Sequence, residues 1–143
     1  MADRQRARVY AWEDRVIAPC DPSRVPFAAA QGMVDAIWSE MGLLYPPRVE
    51  PLPAQASCRL ADANRLRVRL PPSTPAWCLL HELAHSMTTT QDGHSDGHGP
   101  AFVGVYVRLL VRYLRLDAAT LRESLQQAGV QMQADARAVF CDP

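Results

Sequence analysis

His81-Glu82-Leu83-Ala84-His85 is the segment around which the rest of this chain can be interpreted. It lies in an apolar stretch, 77–87, in which leucine, alanine and methionine recur at helical steps and no glycine or proline intervenes. This spacing predicts an α-helix. On a helix, His81 and His85 are one turn apart on the same face, with Cβ atoms about 5–6 Å apart. Two imidazoles at that separation can bind a single metal ion.

Glu82 directly follows the first histidine, so on a helix it points about 100° away from His81. From there its carboxylate can contact a water on the metal without binding the metal itself. Two histidine ligands with a glutamate as general base form the H-E-x-x-H arrangement of zinc peptidases. The same five letters also occur in core helices that carry two buried histidines. The apolar residues around the motif favour the metal site, because they bury one side of the helix and leave the histidines facing a cleft.

A catalytic zinc ion needs a third protein ligand and an open position for water. All four histidines of the chain lie between residues 81 and 98, so the third ligand is sought among the two downstream histidines. We predict His98, because Gly99-Pro100 opens the next helix and holds this histidine at the helix start. His94 lies in a loop of glycine, aspartate and serine, and we interpret it as a solvated loop residue.

Five other residues near the histidines leave alternatives open. Asp92 and Asp96 either orient a ligand imidazole or form turns in the loop. Cys78, three residues before the motif, can face the metal, but a buried small hydrophobic residue is the simpler interpretation. Tyr106 and Tyr113 are weak candidates for stabilising an oxyanion, and core packing explains both better.

The H-E-x-x-H helix, the short polar loop and Gly97-His98-Gly99-Pro100-Ala101-Phe102 resemble the SprT/Spartan-like zinc metalloprotease family over about residues 75–115. The resemblance implies a zincin-like fold and one Zn²⁺ ion per chain. It also implies that Glu82 is the catalytic residue. The metal ligands that it implies are His81, His85 and His98.

The position of the third histidine separates this chain from neighbouring classes of zinc peptidase. Twelve residues, 86–97, lie between His85 and His98, whereas metzincins place the third histidine much closer, after an intervening glycine. Thermolysin-like enzymes use a glutamate as the third ligand. The chain has no C-x-x-C pair, so we expect a minimal, core-only member without the C-terminal zinc ribbon.

Length and composition bound the class of protein. The 143 residues predict one zincin-like metallohydrolase domain spanning 1–143, with 1–7 flexible. The formal net charge is zero, so nucleic acid is only a weakly supported partner. The charged start has no apolar signal region after it, and no run approaches the roughly 18 apolar residues of a membrane span. The four scattered cysteines fit free thiols. We therefore expect a cytoplasmic protein without a membrane partner.

The periodicity predicts an α+β fold, with a small mixed sheet of three or four strands packed on the active-site helix and with N-terminal and C-terminal helices. Ser73 or Thr74 is expected to cap the active-site helix. In the strand before it, Leu66, Val68 and Leu70 alternate with Arg65, Arg67 and Arg69, which predicts one buried and one solvated face. The other predicted helices are 26–41, 100–116 and 118–128, with a turn or helix at 134–140. The predicted strands are 8–12, 48–50, 57–60 and 65–70.

The expected function is that of a small cytosolic zinc endopeptidase acting on extended or unfolded protein. The strand 65–70 is expected to pair with the substrate main chain at a sheet edge. A hydrolase of non-peptide amides is a second hypothesis. A third, from a different class, is a zinc-stabilised nucleic-acid- or protein-binding module without hydrolytic activity. That module would use two rows of arginines, which are more simply solvated faces: Arg65, Arg67 and Arg69, and Arg108, Arg112 and Arg115.

Overall fold

The computed structural model describes residues 3–53 and 61–138. Over these ranges the chain forms five α-helices and two small β-sheets, which confirms the predicted α+β class. None of the helices in these ranges has the length and apolar character needed to cross a lipid bilayer. The predicted strand 57–60 lies outside the described residues.

Four of the five helices confirm helices predicted from periodicity. Asp117 caps the last of them, since its Oδ2 atom accepts a hydrogen bond from the backbone N–H of Thr120 at 2.9 Å. A π-helical segment, Glu13–Ile17, and a short 3-10 turn, Ala18–Cys20, continue the first helix. The helices are α1 (Arg6–Trp12), α2 (Phe27–Glu40), α3 (Ala76–Met87), α4 (Pro100–Tyr113) and α5 (Ala118–Gln127).

The strands form one mixed sheet and one separate pair. They are β1 (Arg24–Pro26), β2 (Arg48–Pro51), β3 (Asp62–Ala63), β4 (Arg67–Leu70) and β5 (Ser73–Pro75). The mixed sheet has the order β2–β4–β3, with β4 parallel to β2 and antiparallel to β3. β1 and β5 form an antiparallel pair. Because β4 has a partner on each side, its backbone has no edge to offer, and the prediction that 65–70 pairs with substrate is wrong.

The N-terminal segment differs most from prediction. Residues 8–12 were expected to form a strand but belong to α1. Val9, Trp12 and Ile17 are fully buried, so one stripe along α1 and the π-helical segment packs into the core. The β-branched and aromatic residues of 8–12 favour a strand only weakly, and burial of this stripe outweighs that preference. Gln5, just before α1, is also buried, and its side-chain amide donates a hydrogen bond to the His98 carbonyl.

The alternation predicted for 65–70 holds only from Arg67 onward. Val68 and Leu70 are buried as expected, but Leu66 is 60% exposed. The cause is a turn before the strand, in which Oδ1 of Asn64 accepts the backbone N–H groups of both Leu66 and Arg67 at 2.9 Å. An Asx turn of this kind holds the chain out of the extended conformation, so the period of two begins later than the sequence suggests.

α3 lies at the centre of the core and carries the two histidines of the motif. Its leucines 79, 80 and 83 are fully buried, and α4 packs directly against it. Neither Ser73 nor Thr74 caps α3, because both belong to β5 and pair with β1. The N–H of Ala76 instead donates to the carbonyl of Ser23 at 3.0 Å. The strand pair β1–β5 therefore fixes where α3 begins. Near the C-terminus, 134–135 forms a turn.

Candidate metal centre

Three histidine side chains converge where α3 meets the start of α4. The Nε2 atom of His85 lies 3.2 Å from the Nε2 atoms of both His81 and His98, and the remaining pair is 3.3 Å apart. His81 and His98 are buried, and His85 is half-buried. The three predicted ligands therefore lie close enough together to bind one metal ion.

The local sequence explains how these rings reach one point. His81 and His85 come from successive turns of α3, as their spacing predicts. His98 immediately precedes Gly99, the N-cap residue of α4, which has an extended backbone, and Pro100 occupies the first turn of that helix. Packing of α4 on α3 then brings the third ring against the first two.

His81 and His98 each have their other ring nitrogen against a carboxylate. Nδ1 of His81 lies 2.5 Å from Oε2 of Glu13, and Nδ1 of His98 lies 2.6 Å from Oδ2 of Asp3. A carboxylate in this position holds a proton on Nδ1 and so presents the Nε2 lone pair to a metal. Both carboxylates come from the N-terminal segment, which is far from the histidines in sequence.

The spacing and chemistry of the three nitrogens fit a tetrahedral metal ion. When Glu13 and Asp3 are both ionised, each holds the proton on the Nδ1 atom that it contacts, and His81 and His98 then turn two Nε2 lone pairs toward each other at 3.3 Å. One cation between the rings would convert this repulsion into coordination. Zinc–nitrogen bonds of about 2.0–2.1 Å in a tetrahedron place the nitrogens about 3.3–3.4 Å apart. The observed separations of 3.2 and 3.3 Å are close to that value.

Burial affects the two carboxylates differently. It raises the pKa of the Glu13 carboxyl to about 8, although a hydrogen bond from the Tyr106 hydroxyl at 2.7 Å offsets part of the rise. A nearby cation would favour the ionised form of Glu13. For Asp3, burial also raises the pKa, but the hydrogen bonds and charge of His98 outweigh it and hold the pKa below its ordinary value.

Aromatic rings hold the imidazoles from two sides. Phe102 in α4 stacks on His85 with ring centroids 4.3 Å apart, and its centroid lies 5.0 Å from those of the other two histidines. Tyr10 in α1 stacks on His81 at 5.9 Å and meets His98 edge-on at 5.0 Å. These contacts restrict rotation of the histidine rings, which favours a pre-organised site.

Two glycines flank His98 because two carboxylates occupy the space where their side chains would lie. A Cβ on Gly97 would lie 2.7 Å from Oδ2 of Asp3, and Gly97 also has a φ of +65° that favours glycine. A Cβ on Gly99 would lie 2.6 Å from Oδ2 of Asp96. The G-H-G segment is thus shaped around one carboxylate that contacts His98 and one that caps α4.

Replacing Asp96 by alanine is expected to destabilise the metal-free protein by about 1 kcal/mol, the usual cost of losing a helix cap. Its carboxylate accepts the backbone N–H groups of Ala101 at 2.8 Å and Phe102 at 3.3 Å. The free energy of unfolding by urea measures the effect. Asp92→Ala is the control, because Asp92 is exposed and bonds within its own loop to Thr90 and His94. Equal losses in the two variants would contradict the capping role.

Glu82 and Cys78 lie on α3 beside the histidines. Glu82 is buried, with 7% of its surface exposed. Burial, followed by the negative charges of Glu13 and Glu82, raises the pKa of the Cys78 thiol to about 12. Among the described residues, the group of atoms close enough together to hold a metal ion consists of His81, His85 and His98 and does not include the Cys78 sulfur. This supports the interpretation of Cys78 as a small buried hydrophobic residue.

The loop between α3 and α4 does not bring its other predicted candidates to the histidines. The side chain of His94 is 82% exposed, and its Nδ1 atom lies 3.1 Å from a carboxylate oxygen of Asp92. Asp96 caps α4. The sequence predicted that Asp92 or Asp96 could orient one of the imidazoles. In the structure, Glu13 contacts the His81 ring and Asp3 contacts the His98 ring instead.

Asp3, Glu13 and Tyr10 are residues of the site that were not predicted from the sequence. One signal for Glu13 was present, since it lies between Trp12 and Ile17 on the buried stripe of the N-terminal helical segment. If residues 8–12 had been predicted to form a helix, the Glu13 carboxylate would have been expected on the side of that helix that faces the core. Asp3 has no comparable signal, because it precedes the first helix.

Comparisons of this chain with protein-family models, with curated proteins and with solved structures found no match. The histidine geometry and the side chains around it are therefore the observations from which a function is argued. They give a compact, largely buried group of three imidazoles, two of them backed by carboxylates, with a buried glutamate on the same helix.

Proposed function

We propose that this chain is a zinc-dependent hydrolase, and specifically a small cytoplasmic endopeptidase with a zincin-like core of the SprT/Spartan-like type. The observation that carries the proposal is the triangle of Nε2 atoms from His81, His85 and His98, with edges of 3.2–3.3 Å. An all-imidazole set in an H-E-x-x-H frame suits zinc best among the common divalent ions.

Glu82 is assigned as the general base. His81, His85 and His98 would hold a zinc ion through three neutral imidazoles, and the ion would then supply a Lewis acid that makes water nucleophilic near neutral pH. Glu82 accepts the proton of the attacking water as the water adds to the substrate carbonyl, and then delivers that proton to the leaving amine. A buried carboxylate beside a purely structural site would have no such use, so its presence favours catalysis.

Other residues hold the ligands rather than react. The hydroxyl of Tyr106 donates to Glu13, and the hydroxyl of Tyr113 donates to Glu40 at 2.6 Å. Neither tyrosine is therefore assigned to the oxyanion. Glu13 in turn contacts His81, so Tyr106 belongs to the chain of hydrogen bonds that orients this ligand.

The extended substrate implied by the family resemblance would need a strand other than β4. β3 is antiparallel to β4, and the turn after β3 is tied to α3 by a hydrogen bond of 2.5 Å from the Ser86 hydroxyl to the Asn64 carbonyl. Within the described residues β3 pairs with β4 alone. We therefore place the substrate main chain along β3, next to the metal helix.

The alternative of a nucleic-acid-binding module receives less support from the arginines than the sequence suggested. Arg65 is buried, its guanidinium lying 4.9 Å from the Trp38 ring centroid. Arg69 forms a two-pronged pair with Asp62 at 2.5 and 2.7 Å. Arg67 lies 3.6 Å from Glu50. The row formed by Arg65, Arg67 and Arg69 is thus largely engaged within the protein, which leaves little of its charge for a phosphate backbone.

The proposal is tested by incubating the zinc-loaded protein with a reduced, unfolded protein and with quenched fluorescent peptides. We expect cleavage of both, and its loss after chelation with recovery when zinc is restored. Fragment masses identify the bonds that are cut. A protein that holds zinc but cleaves neither substrate would contradict the peptidase assignment. Hydrolysis of small non-peptide amides alone would favour the second hypothesis.

A further inference from the structure

The N-terminal segment, residues 3–17, does more than pack on the core, because it contacts two of the three histidines through carboxylates. We propose that docking of this segment and metal binding are energetically coupled, with Asp3 and Glu13 acting as positioning residues for the ligand imidazoles. The inference rests on the metal site of the proposed function and goes beyond it, since it assigns the N-terminal segment a part in holding the metal.

Glu13 supports His81 from inside the core. Its side chain is 3% exposed, and its Oε2 atom lies 2.5 Å from Nδ1 of His81 and 2.7 Å from the hydroxyl of Tyr106. A carboxylate with two partners in fixed positions can hold the imidazole plane and its tautomer. Glu13 starts the π-helical segment that continues α1, so this contact exists only while the N-terminal helix is docked.

Asp3 supports His98 at the opposite end of the segment. Its Oδ2 atom accepts the backbone N–H of His98 at 3.1 Å and lies 2.6 Å from Nδ1 of the same residue. Gln5 adds a bond from its side-chain amide to the His98 carbonyl at 2.9 Å. The missing Cβ of Gly97 makes room for the Asp3 carboxylate. Three polar contacts thus tie the third ligand to the start of the chain.

The rest of the segment is fastened to the C-terminal half of the protein. The indole N–H of Trp12 donates to the hydroxyl of Ser124 at 2.9 Å, and the side chain of Gln5 exchanges hydrogen bonds with the backbone of Gln131. Tyr10 lies against the His81 and His98 rings. Docking therefore positions Asp3, Tyr10 and Glu13 together, as one element.

The coupling follows from the chemistry of imidazole. A carboxylate that holds the Nδ1 proton removes the cost of selecting the tautomer that binds metal. A cation on Nε2 in turn makes the Nδ1 proton more acidic and strengthens its bond to the carboxylate. By linkage, if docking raises metal affinity by some factor, metal binding stabilises docking by the same factor.

The first test measures zinc affinity by competition with a chromophoric chelator in full-length Glu13→Gln and Asp3→Asn. Loss of a carboxylate behind a ligand histidine typically weakens metal binding about 10- to 100-fold, and we expect losses of that size in both. Asp14→Asn is the matched control, because Asp14 is the exposed neighbour of Glu13 in the π-helical segment. Its affinity should equal that of the wild type. Cobalt(II) absorption spectra report whether the ligand geometry has changed.

The second test uses the wild-type protein alone and so does not depend on a variant folding. Backbone hydrogen exchange of residues 6–17 is followed with and without one equivalent of zinc. We expect zinc to slow exchange in this segment by more than it does in α2, the internal reference.

The outcomes separate the inference from the proposed function. If the wild type binds no zinc, both fail. If it binds zinc, but the two carboxylate variants bind as tightly as Asp14→Asn and exchange in 6–17 is unchanged, only the coupling fails. If Glu13→Gln does not fold, Asp3→Asn and the exchange measurement decide, because Asp3 is half-buried, with 26% of its side chain exposed, whereas Glu13 is almost fully buried.

Discussion

His98→Ala is expected to abolish stable zinc binding, whereas His94→Ala should keep about one zinc ion per chain. His98 supplies one of three nitrogens in the triangle and is buried against its neighbours. Losing a ligand should weaken binding by more than the roughly 10- to 100-fold typical of losing a residue that only supports one. Elemental analysis after dialysis, followed by competition titration, measures the difference.

His94 is a matched control for this experiment. It carries the same side chain, lies four positions earlier in the same loop and is 82% exposed, so its removal leaves the core unchanged. Equal retention of zinc by the two variants would exclude His98 as a ligand. Loss of zinc from His94→Ala alone would make His94 the third ligand in place of His98, which would require a different arrangement from the one observed.

Glu82→Gln is expected to keep zinc and lose activity. The amide has the size of the carboxylate but cannot accept a proton from water, and general acid–base groups typically contribute about 10²- to 10⁴-fold to the rate. We expect kcat/KM for the best peptide substrate to fall by about that factor. Metal content measured on the same sample separates a catalytic defect from loss of the ion.

Glu123→Gln, an exposed glutamate on α5, is the control for Glu82→Gln and should leave kcat/KM unchanged. Activity of Glu82→Gln within a few-fold of the wild type would remove Glu82 from the mechanism. If the wild-type protein binds zinc but has no hydrolytic activity, and Glu82→Gln binds zinc as the wild type does, the binding-module hypothesis becomes the better account.

The residues that could be predicted from the sequence are those whose placement depends on short-range geometry. His81 and His85 share a face because the helix repeats about every 3.6 residues, and their separation follows without knowledge of the fold. The bounds of α2 and α5 follow likewise from an apolar stripe and from end signals such as Asp117. The glycine and proline after His98 mark the start of α4 in the same local way.

The errors arose where a segment's structure depends on distant packing. Residues 8–12 combine arginine, valine, tyrosine and tryptophan, a composition that suits a strand as well as a helix. Only burial of Val9 and Trp12 in the core decides for the helix. In β4, the turn at Asn64 moved the start of the strand to Arg67 and so placed Leu66 on the surface.

The sequence by itself determined that His81, His85 and His98 are candidate metal ligands and that Glu82 is the candidate base. Each of these choices, like the helices that carry or follow these residues, rests on spacing and end signals within a few turns of chain. Only the tertiary structure decided that Glu13 and Asp3 stand behind His81 and His98, since 68 and 95 residues separate the partners. No periodicity links positions so far apart. Their meeting depends on how α1 packs against α3 and the start of α4, and that packing is set by burial of the apolar stripe on the N-terminal segment.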